Sequence, residues 1–65
     1  MNVVIDGKEF IPIEAVAVRA SASTGTIRRM VRLGRIPPGR VLRRRLVWPA
    51  EEVEAVVRKV AGIDN

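Results

Sequence analysis

The sequence predicts a small α+β domain in which three short helices and two β-hairpins share one core. Three stretches, beginning at Ile13, Ile27 and Val53, carry apolar residues at the i, i+3, i+4 and i+7 spacing of an amphipathic helix. Two other stretches are short apolar runs interrupted by a few polar residues, which is typical of hairpins. At 65 residues the chain has room for a single domain, residues 1–65, and for a modest core. No repeat is evident.

Residues 1–11 are predicted to form a short N-terminal β-hairpin. Asn2 to Ile5 and Lys8 to Ile11 are apolar runs, and the Asp6-Gly7 pair between them tolerates the positive φ angles of a type I′ turn. An isolated two-stranded hairpin is marginal in water. The alternative is therefore an extended arm that becomes ordered only on a partner.

Residues 12–34 are predicted to form two helices joined by a tight corner. Pro12 suits the first position of the first helix, which should end near Ala20. Ser23 is expected to cap the second helix through its hydroxyl, and Gly34 suits a left-handed stop. The second helix has two faces. Its core side carries Ile27, Met30 and Val31, and its opposite side carries Gly25, Arg28, Arg29 and Arg32.

The last two elements are a basic hairpin and an acidic helix. Residues 35–48 should form the hairpin, with Arg43, Arg44 and Arg45 at its tip. Residues 49–62 should form the helix, which begins at a proline and is followed by the tail Ile63 to Asn65. Trp48 lies in the second strand of the basic hairpin and is expected in the core rather than on a base-stacking surface.

Charge is distributed unevenly along the chain, whose net charge is +5. Residues 15–50 contain nine arginines and no acid, so this middle segment carries +9 and the two ends together carry −4. Arginine favours planar, bidentate contacts with phosphate or guanine, so we expect nucleic acid as the partner. The alternatives are a solvated basic surface and an arginine bias that comes from GC-rich coding.

The composition also excludes several kinds of chemistry. The chain has no cysteine and no histidine, which excludes disulfides, thiol catalysis and the usual zinc sites. No base is placed to activate a hydroxyl nucleophile, so Ser23, Thr24 and Thr26 are expected to act as caps or phosphate contacts. We expect no enzyme and no cofactor. There is no run of about 18 apolar residues, so we expect a soluble, cytoplasmic protein without a membrane partner.

Together these elements predict a winged helix-turn-helix. In that arrangement the second helix lies in the major groove of DNA with its basic face outward, and the basic hairpin, or wing, reaches a neighbouring groove or the backbone.

The same features, over residues 12–57, resemble the excisionase and MerR-type winged helix family. They include a Ser-x-x-Thr-Ile-Arg-Arg helix from Ser23 to Arg29, the sequence Gly-Arg-Ile-Pro from Gly34, a basic wing and a proline-initiated acidic helix. The sequence departs from the family at Met30, where a tryptophan is frequent, at Gly25, and in its N-terminal hairpin. The predicted DNA-binding residues are Ser23, Thr24, Gly25, Thr26, Arg28, Arg29, Arg32, Arg40, Arg43, Arg44 and Arg45.

MerR-type regulators continue into a long dimerisation helix, whereas this sequence ends at Asn65, so we expect a stand-alone unit. Such a unit resembles the phage excisionases, or recombination directionality factors. The resemblance implies that several copies load on neighbouring sites of double-stranded DNA, bend it and direct an integrase towards excision. The alternatives are a small MerR-like transcriptional regulator and a phage adaptor or terminase-like protein-interaction module.

Overall fold

The computed structural model describes residues 2–62, which form three helices and one four-stranded antiparallel sheet. The α+β class is confirmed, and each predicted helix and hairpin is present; the tail Ile63 to Asn65 lies outside the described residues. The elements are β1 (Val3–Ile5), β2 (Lys8–Pro12), α1 (Ile13–Ala20), α2 (Thr24–Arg32), β3 (Arg40–Leu42), β4 (Arg45–Pro49) and α3 (Ala50–Val60).

The two hairpins join into one sheet whose strand order is β1-β2-β4-β3. The inner strands β2 and β4 pair antiparallel, with Ile11 opposite Trp48. The Asp6-Gly7 turn has φ angles of 52° and 77°, as the sequence predicts. The alternative of an extended N-terminal arm is wrong, because β4 supplies the third strand that an isolated hairpin lacks. The N-terminal hairpin is therefore part of the sheet rather than an addition to it, and its Ile11 lies in the core.

The chain builds one β-hairpin-helix unit twice, with α2 between the two copies. Each unit has a three-residue strand, a two-residue turn and a five-residue strand that ends at a proline and passes directly into a helix. The two units share little sequence, so the sequence itself shows no evident repeat. The repeat is faint in sequence because only four residues of the first unit recur in the second. They are Val4, Pro12, Glu14 and Val16, which recur as Val41, Pro49, Glu51 and Val53.

A pseudo-twofold axis relates the two units and passes between β2 and β4. Ile11 and Trp48 are equivalent residues and face each other across this axis. On either side of them lie the pairs Phe10 with Pro49 and Pro12 with Val47. The axis relates these two pairs, because Phe10 is equivalent to Val47 and Pro12 is equivalent to Pro49. The two outer strands β1 and β3 are therefore equivalent edges, and the two turns lie at opposite ends of the sheet.

The main core lies between the central strands and the helices. Helices α1 and α3 pack against each other and against β2 and β4, while α2 packs mainly against α1. Burying one apolar side chain of this core contributes roughly 1.5–3 kcal/mol before conformational entropy is counted. The stability of this small domain therefore depends on a small cluster of residues. The cluster comprises Ile11, Ile13, Val16, Ala17, Ile27, Ile36, Trp48, Val53 and Val56.

Two prolines mark the passage from strand to helix. Pro12 was predicted as the first helical residue of α1, but this is wrong: it is the last residue of β2 and the N-cap of α1. Pro49 does the same between β4 and α3. Pro12 has extended φ and ψ angles of −73° and 157°, Pro49 has angles of −55° and 141°, and both prolines are fully buried. Because proline fixes φ and has no N–H, it suits the end of a ladder of hydrogen bonds.

Trp48 fixes the segment that leads from α2 to β3. Its ring is fully buried, as predicted, and its Nε1 donates a hydrogen bond to the carbonyl oxygen of Pro37 at 2.8 Å. Gly39 lies directly against the same ring. A Cβ atom at Gly39 would come within 2.7 Å of the Val47 carbonyl oxygen and 2.9 Å of Trp48 Cε2. The backbone must therefore pass here without a side chain.

Gly39→Ala should destabilise the domain by about 2–4 kcal/mol, because it adds a clash with backbone and ring to the strain of a positive φ. Gly34→Ala is the matched control. Both glycines have φ +73°, but a Cβ atom at Gly34 would meet nothing within 4 Å. The control should cost about 1 kcal/mol. Denaturant unfolding followed by Trp48 fluorescence measures both, and equal losses would contradict the clash.

Candidate nucleic-acid interface

Helix α2 is capped at its N-terminus by Ser23, as predicted. The Ser23 Oγ atom accepts a hydrogen bond from the Thr26 amide at 3.1 Å and donates one to Thr26 Oγ1 at 3.0 Å. The hydroxyl proton of Thr26 is thus left for another acceptor. The first turn of α2 contains no acidic residue, so the positive end of the helix dipole is not neutralised within the helix. This end of α2 suits an anion.

The C-terminus of α2 is closed by Gly34, also as predicted. Gly34 has φ +73°, and its N–H bonds to the Val31 carbonyl at 3.0 Å. The next amide, that of Arg35, bonds to the Met30 carbonyl at 2.9 Å, which completes a Schellman motif. Both ends of a nine-residue helix are therefore fixed, and so are the directions in which its side chains leave the backbone.

The two predicted faces of α2 are present. Ile27 is fully buried, and Met30 and Val31 pack half-buried against the core. On the outer side, Gly25 and the three arginines are exposed, whereas Thr24 and Thr26 are half-buried beside them. The exposed arginines are Arg28, Arg29 and Arg32.

Almost none of the positive charge in the middle segment is neutralised internally. Arg19 forms an ion pair with Glu54 at 3.4 Å, with both side chains more than half exposed. The other eight arginines of residues 15–50 form no ion pair with any residue from 2 to 62. A surface of this kind attracts polyanions and repels itself.

Sequence reasoning missed Arg35, which lies just beyond the stop of α2. Arg35 lines a hollow of about 330 Å³ on the flank of the helix together with Thr26, Arg29, Met30 and Leu33. Leu33 is 60% exposed, in agreement with its place outside the core stripe. The sequence could have indicated Arg35 through its position directly after the Gly34 stop, because the Schellman hydrogen bond fixes the backbone there.

The second cationic element is the arginine hairpin, residues 40–49. Its turn consists of Arg43 and Arg44 alone, and Arg45 is the first residue of β4. The prediction of a tip with three arginines is therefore wrong by one residue. Arg40, at the start of β3, is exposed like the other three arginines.

Arg45 lies near the start of α1 instead of at the tip. It lines a hollow of about 410 Å³ with Pro12, Glu14, Ala15 and Val18. The pseudo-twofold axis relates Arg45 and Glu14 to Lys8 and Glu51, which form an ion pair at 3.3 Å. Within residues 2–62, Arg45 and Glu14 form no such pair.

The carboxylate of Glu51 is favoured by its surroundings at the start of α3. A backbone hydrogen bond within Glu51 is the main cause that lowers the pKa of this carboxyl, and the hydrogen bond and charge of Lys8 lower it further. The charge of Arg40 adds a smaller contribution.

The turn of the arginine hairpin is strained. Arg43 and Arg44 have φ angles of 51° and 67°, so this is a type I′ turn made without glycine or asparagine. The left-handed conformation costs roughly 1–2 kcal/mol for each such residue. The equivalent turn of the first hairpin has the favoured pair Asp6-Gly7. Strained residues of this kind persist where the surrounding structure imposes their conformation, and they cluster at functional sites.

A comparison of this chain with protein-family models, curated proteins and solved structures found no match. Along residues 2–62, no helix has both the length and the apolar character that crossing a membrane requires. The same residues contain no group of three or more acidic, histidine or cysteine side chains placed to hold a metal ion.

Replacing the strained turn by Asn-Gly (R43N/R44G) should stabilise the domain by about 1–3 kcal/mol, because those residues tolerate positive φ. Thermal and denaturant unfolding measure the change. Removing two positive charges could stabilise the domain by itself, so R43Q/R44Q is the control that removes the charges and keeps the strain. If both double variants gain the same stability, charge repulsion rather than backbone strain destabilises the native turn.

Proposed function

We propose that this chain is a sequence-specific double-stranded DNA-binding protein of the winged helix-turn-helix type. In this proposal α1 and α2 form the helix-turn-helix, α2 lies in the major groove, and the arginine hairpin is the wing. The observation that carries the proposal is the outer face of α2. It presents Arg28, Arg29 and Arg32, all exposed and without an ion pair among residues 2–62, on a helix capped at both ends.

Base reading and phosphate contact fall to different parts of this surface. Arg28 and Arg29 lie closer to the N-terminus of α2 than Arg32, and in helix-turn-helix proteins the N-terminal part of the second helix reaches base edges. Arginine reads guanine through a bidentate contact with O6 and N7. The Thr26 hydroxyl, the free amides of the first turn and the turn arginines suit phosphate oxygens.

The role in recombination rests on the resemblance to excisionases. We propose that copies load on neighbouring sites, bend the DNA and direct a phage integrase towards excision. A small MerR-like transcriptional regulator is the alternative within the same fold. A footprint on the DNA that flanks the gene separates them, because phased repeated protection indicates loading of several copies and a single palindromic site indicates a dimeric regulator.

Binding to a duplex chosen from a random pool should depend steeply on salt. Three or four neutralised phosphates, one at Arg32 and two or three at the wing, give a slope of log K against log salt of about −3 to −4, since each contact contributes about −0.9. Fluorescence anisotropy across a salt series, on the chosen duplex and on a scrambled one, measures the slope. A flat titration would falsify the proposal.

Single substitutions test the division of labour on the same two duplexes. Arg28→Ala or Arg29→Ala should cost about 1–3 kcal/mol on the chosen duplex and less on the scrambled one, because a base contact is lost. Arg44→Ala should weaken both duplexes alike. Arg58→Ala, on α3 and outside the acid-free segment, is the control and should change neither. If every arginine weakens both duplexes equally, binding is nonspecific.

Gly25 offers a test in which stability and binding move in opposite directions. Gly25 lies in the first turn of α2, and a Cβ atom there would meet only Ser23 Oγ, at 3.8 Å. Gly25→Ala should therefore stabilise the domain by up to about 1 kcal/mol, as alanine does in helices. If this turn lies against a phosphate, the added methyl group should weaken DNA binding several-fold. Unchanged or tighter binding would remove Gly25 from the interface.

A further inference from the structure

A hollow of about 280 Å³ lies beside the edge strand β1, and its lining combines apolar and cationic side chains. The exposed valine and isoleucine of β1 are apolar groups that a folded domain usually buries. No carboxylate is among the residues that line the hollow. They are Val3, Val4 and Ile5 of β1 together with Leu42, Arg43 and Arg45 of the arginine hairpin.

The backbone of β1 offers a hydrogen-bonding edge at Val4. The two-residue turn makes Ile5 and Lys8 a hydrogen-bonded pair, so the N–H and C=O groups of Val4 point away from β2. No strand within residues 2–62 pairs with this side of β1. The Val4 side chain is 65% exposed.

Edge strands are usually protected by a lysine, a proline or a bulge, because an open edge accepts another strand. The strand Val3-Val4-Ile5 is short, which is itself one protection, but it contains no lysine or proline and its register with β2 has no bulge. The turn that follows β1, Asp6-Gly7, carries one negative charge, whereas the turn of the arginine hairpin, Arg43-Arg44, carries two positive charges. The sheet is curled, so the open edge of β1 and the arginines of the other hairpin line the same hollow although β1 and β3 are the two outer strands.

We propose that the hollow is a docking site for an extended segment of a partner protein, one that pairs with β1 and alternates apolar with acidic residues. Backbone hydrogen bonds to Val4 would hold the added strand, as in other cases of strand addition. Its apolar side chains would lie against Val3 and Leu42. Its carboxylates would meet Arg43 and Arg45, because arginine forms bidentate pairs with carboxylate and the lining offers no acid to compete.

This interaction does not depend on the proposed DNA binding, but it would oppose it. Arg43 and Arg45 belong both to the hollow and to the arginine hairpin. A segment that holds their guanidinium groups withdraws them from phosphate. The acidic partner is therefore expected to release the protein from DNA, and DNA is expected to displace the partner.

The test uses the full chain and a short acetylated and amidated peptide of alternating glutamate and valine. Amide chemical shifts measured by NMR during the titration should change saturably at Val3–Ile5 and around Leu42 to Arg45. A peptide of alternating lysine and valine is the matched probe. The glutamate peptide should bind at least about tenfold more tightly, the ratio that 1.4 kcal/mol gives.

Two variants locate the contact. Val4→Pro removes the outward N–H while sparing the pairing with β2, and it should weaken the glutamate peptide about tenfold but leave DNA binding unchanged. Val41→Pro is its pseudo-symmetric control on β3 and should leave peptide binding intact. Val4→Glu covers the case in which the proline disturbs the hairpin, since it should reverse the preference between the two peptides.

The proposal would be overturned by the absence of saturable shifts, by shifts confined to other residues, or by equal binding of the glutamate and lysine peptides. Shifts at β1 that grow with protein concentration alone would also overturn it, because a second copy would then occupy the edge. A failure to bind DNA would refute the proposed function and leave this site standing, so the two can be told apart.

Discussion

The position of Trp48 is the constraint on which the rest of the structure depends. Its ring is fully buried, its strand partner is Ile11 of the first hairpin, and its Nε1 holds the carbonyl of Pro37. One side chain thus connects the central strands, the helical core and the segment that follows α2. Trp48 is the largest of the fully buried side chains within residues 2–62. The same contact anchors the segment that follows α2, because the ring holds the Pro37 carbonyl and leaves no room for a Cβ atom at Gly39.

The pseudo-twofold symmetry shows where the two halves differ, and the differences are concentrated at the cationic surface. The first unit has a favoured turn, and its Lys8 forms an ion pair with Glu51 of the second unit. In the second unit, the equivalent turn is strained and Arg45 does not pair with Glu14. Helix α2 has no counterpart and lies between the units. The hairpin-helix unit is therefore the framework that both halves share. The features in which the halves differ supply the charged elements that the proposed function uses.

Features that depend on neighbouring residues could be predicted from the sequence. The helical stripes, the Asp6-Gly7 turn, the Ser23 cap and the Gly34 stop each follow from a few adjacent side chains. Contacts between distant residues could not. The pairing of β2 with β4 joins segments that are far apart in the chain, and the need for Gly39 arises only once Trp48 is in place. The conformation of the Arg43-Arg44 turn could not be predicted for a different reason. Arginine disfavours positive φ, so local propensity points away from the conformation that the sheet imposes.

Strain at Arg43-Arg44 and repulsion among unpaired arginines both oppose folding, and a domain of 65 residues has little stability to spare. The core can carry these costs because both hairpins are locked into one sheet by the Ile11 and Trp48 pair. An anion relieves the repulsion when it binds, but it leaves the backbone angles unchanged. The backbone of the turn is therefore strained whether or not a partner is bound. This favours a role in which the two arginines are already positioned before a partner binds. Such preorganisation reduces the entropy that a contact loses on binding, since the side chains depart from a fixed backbone.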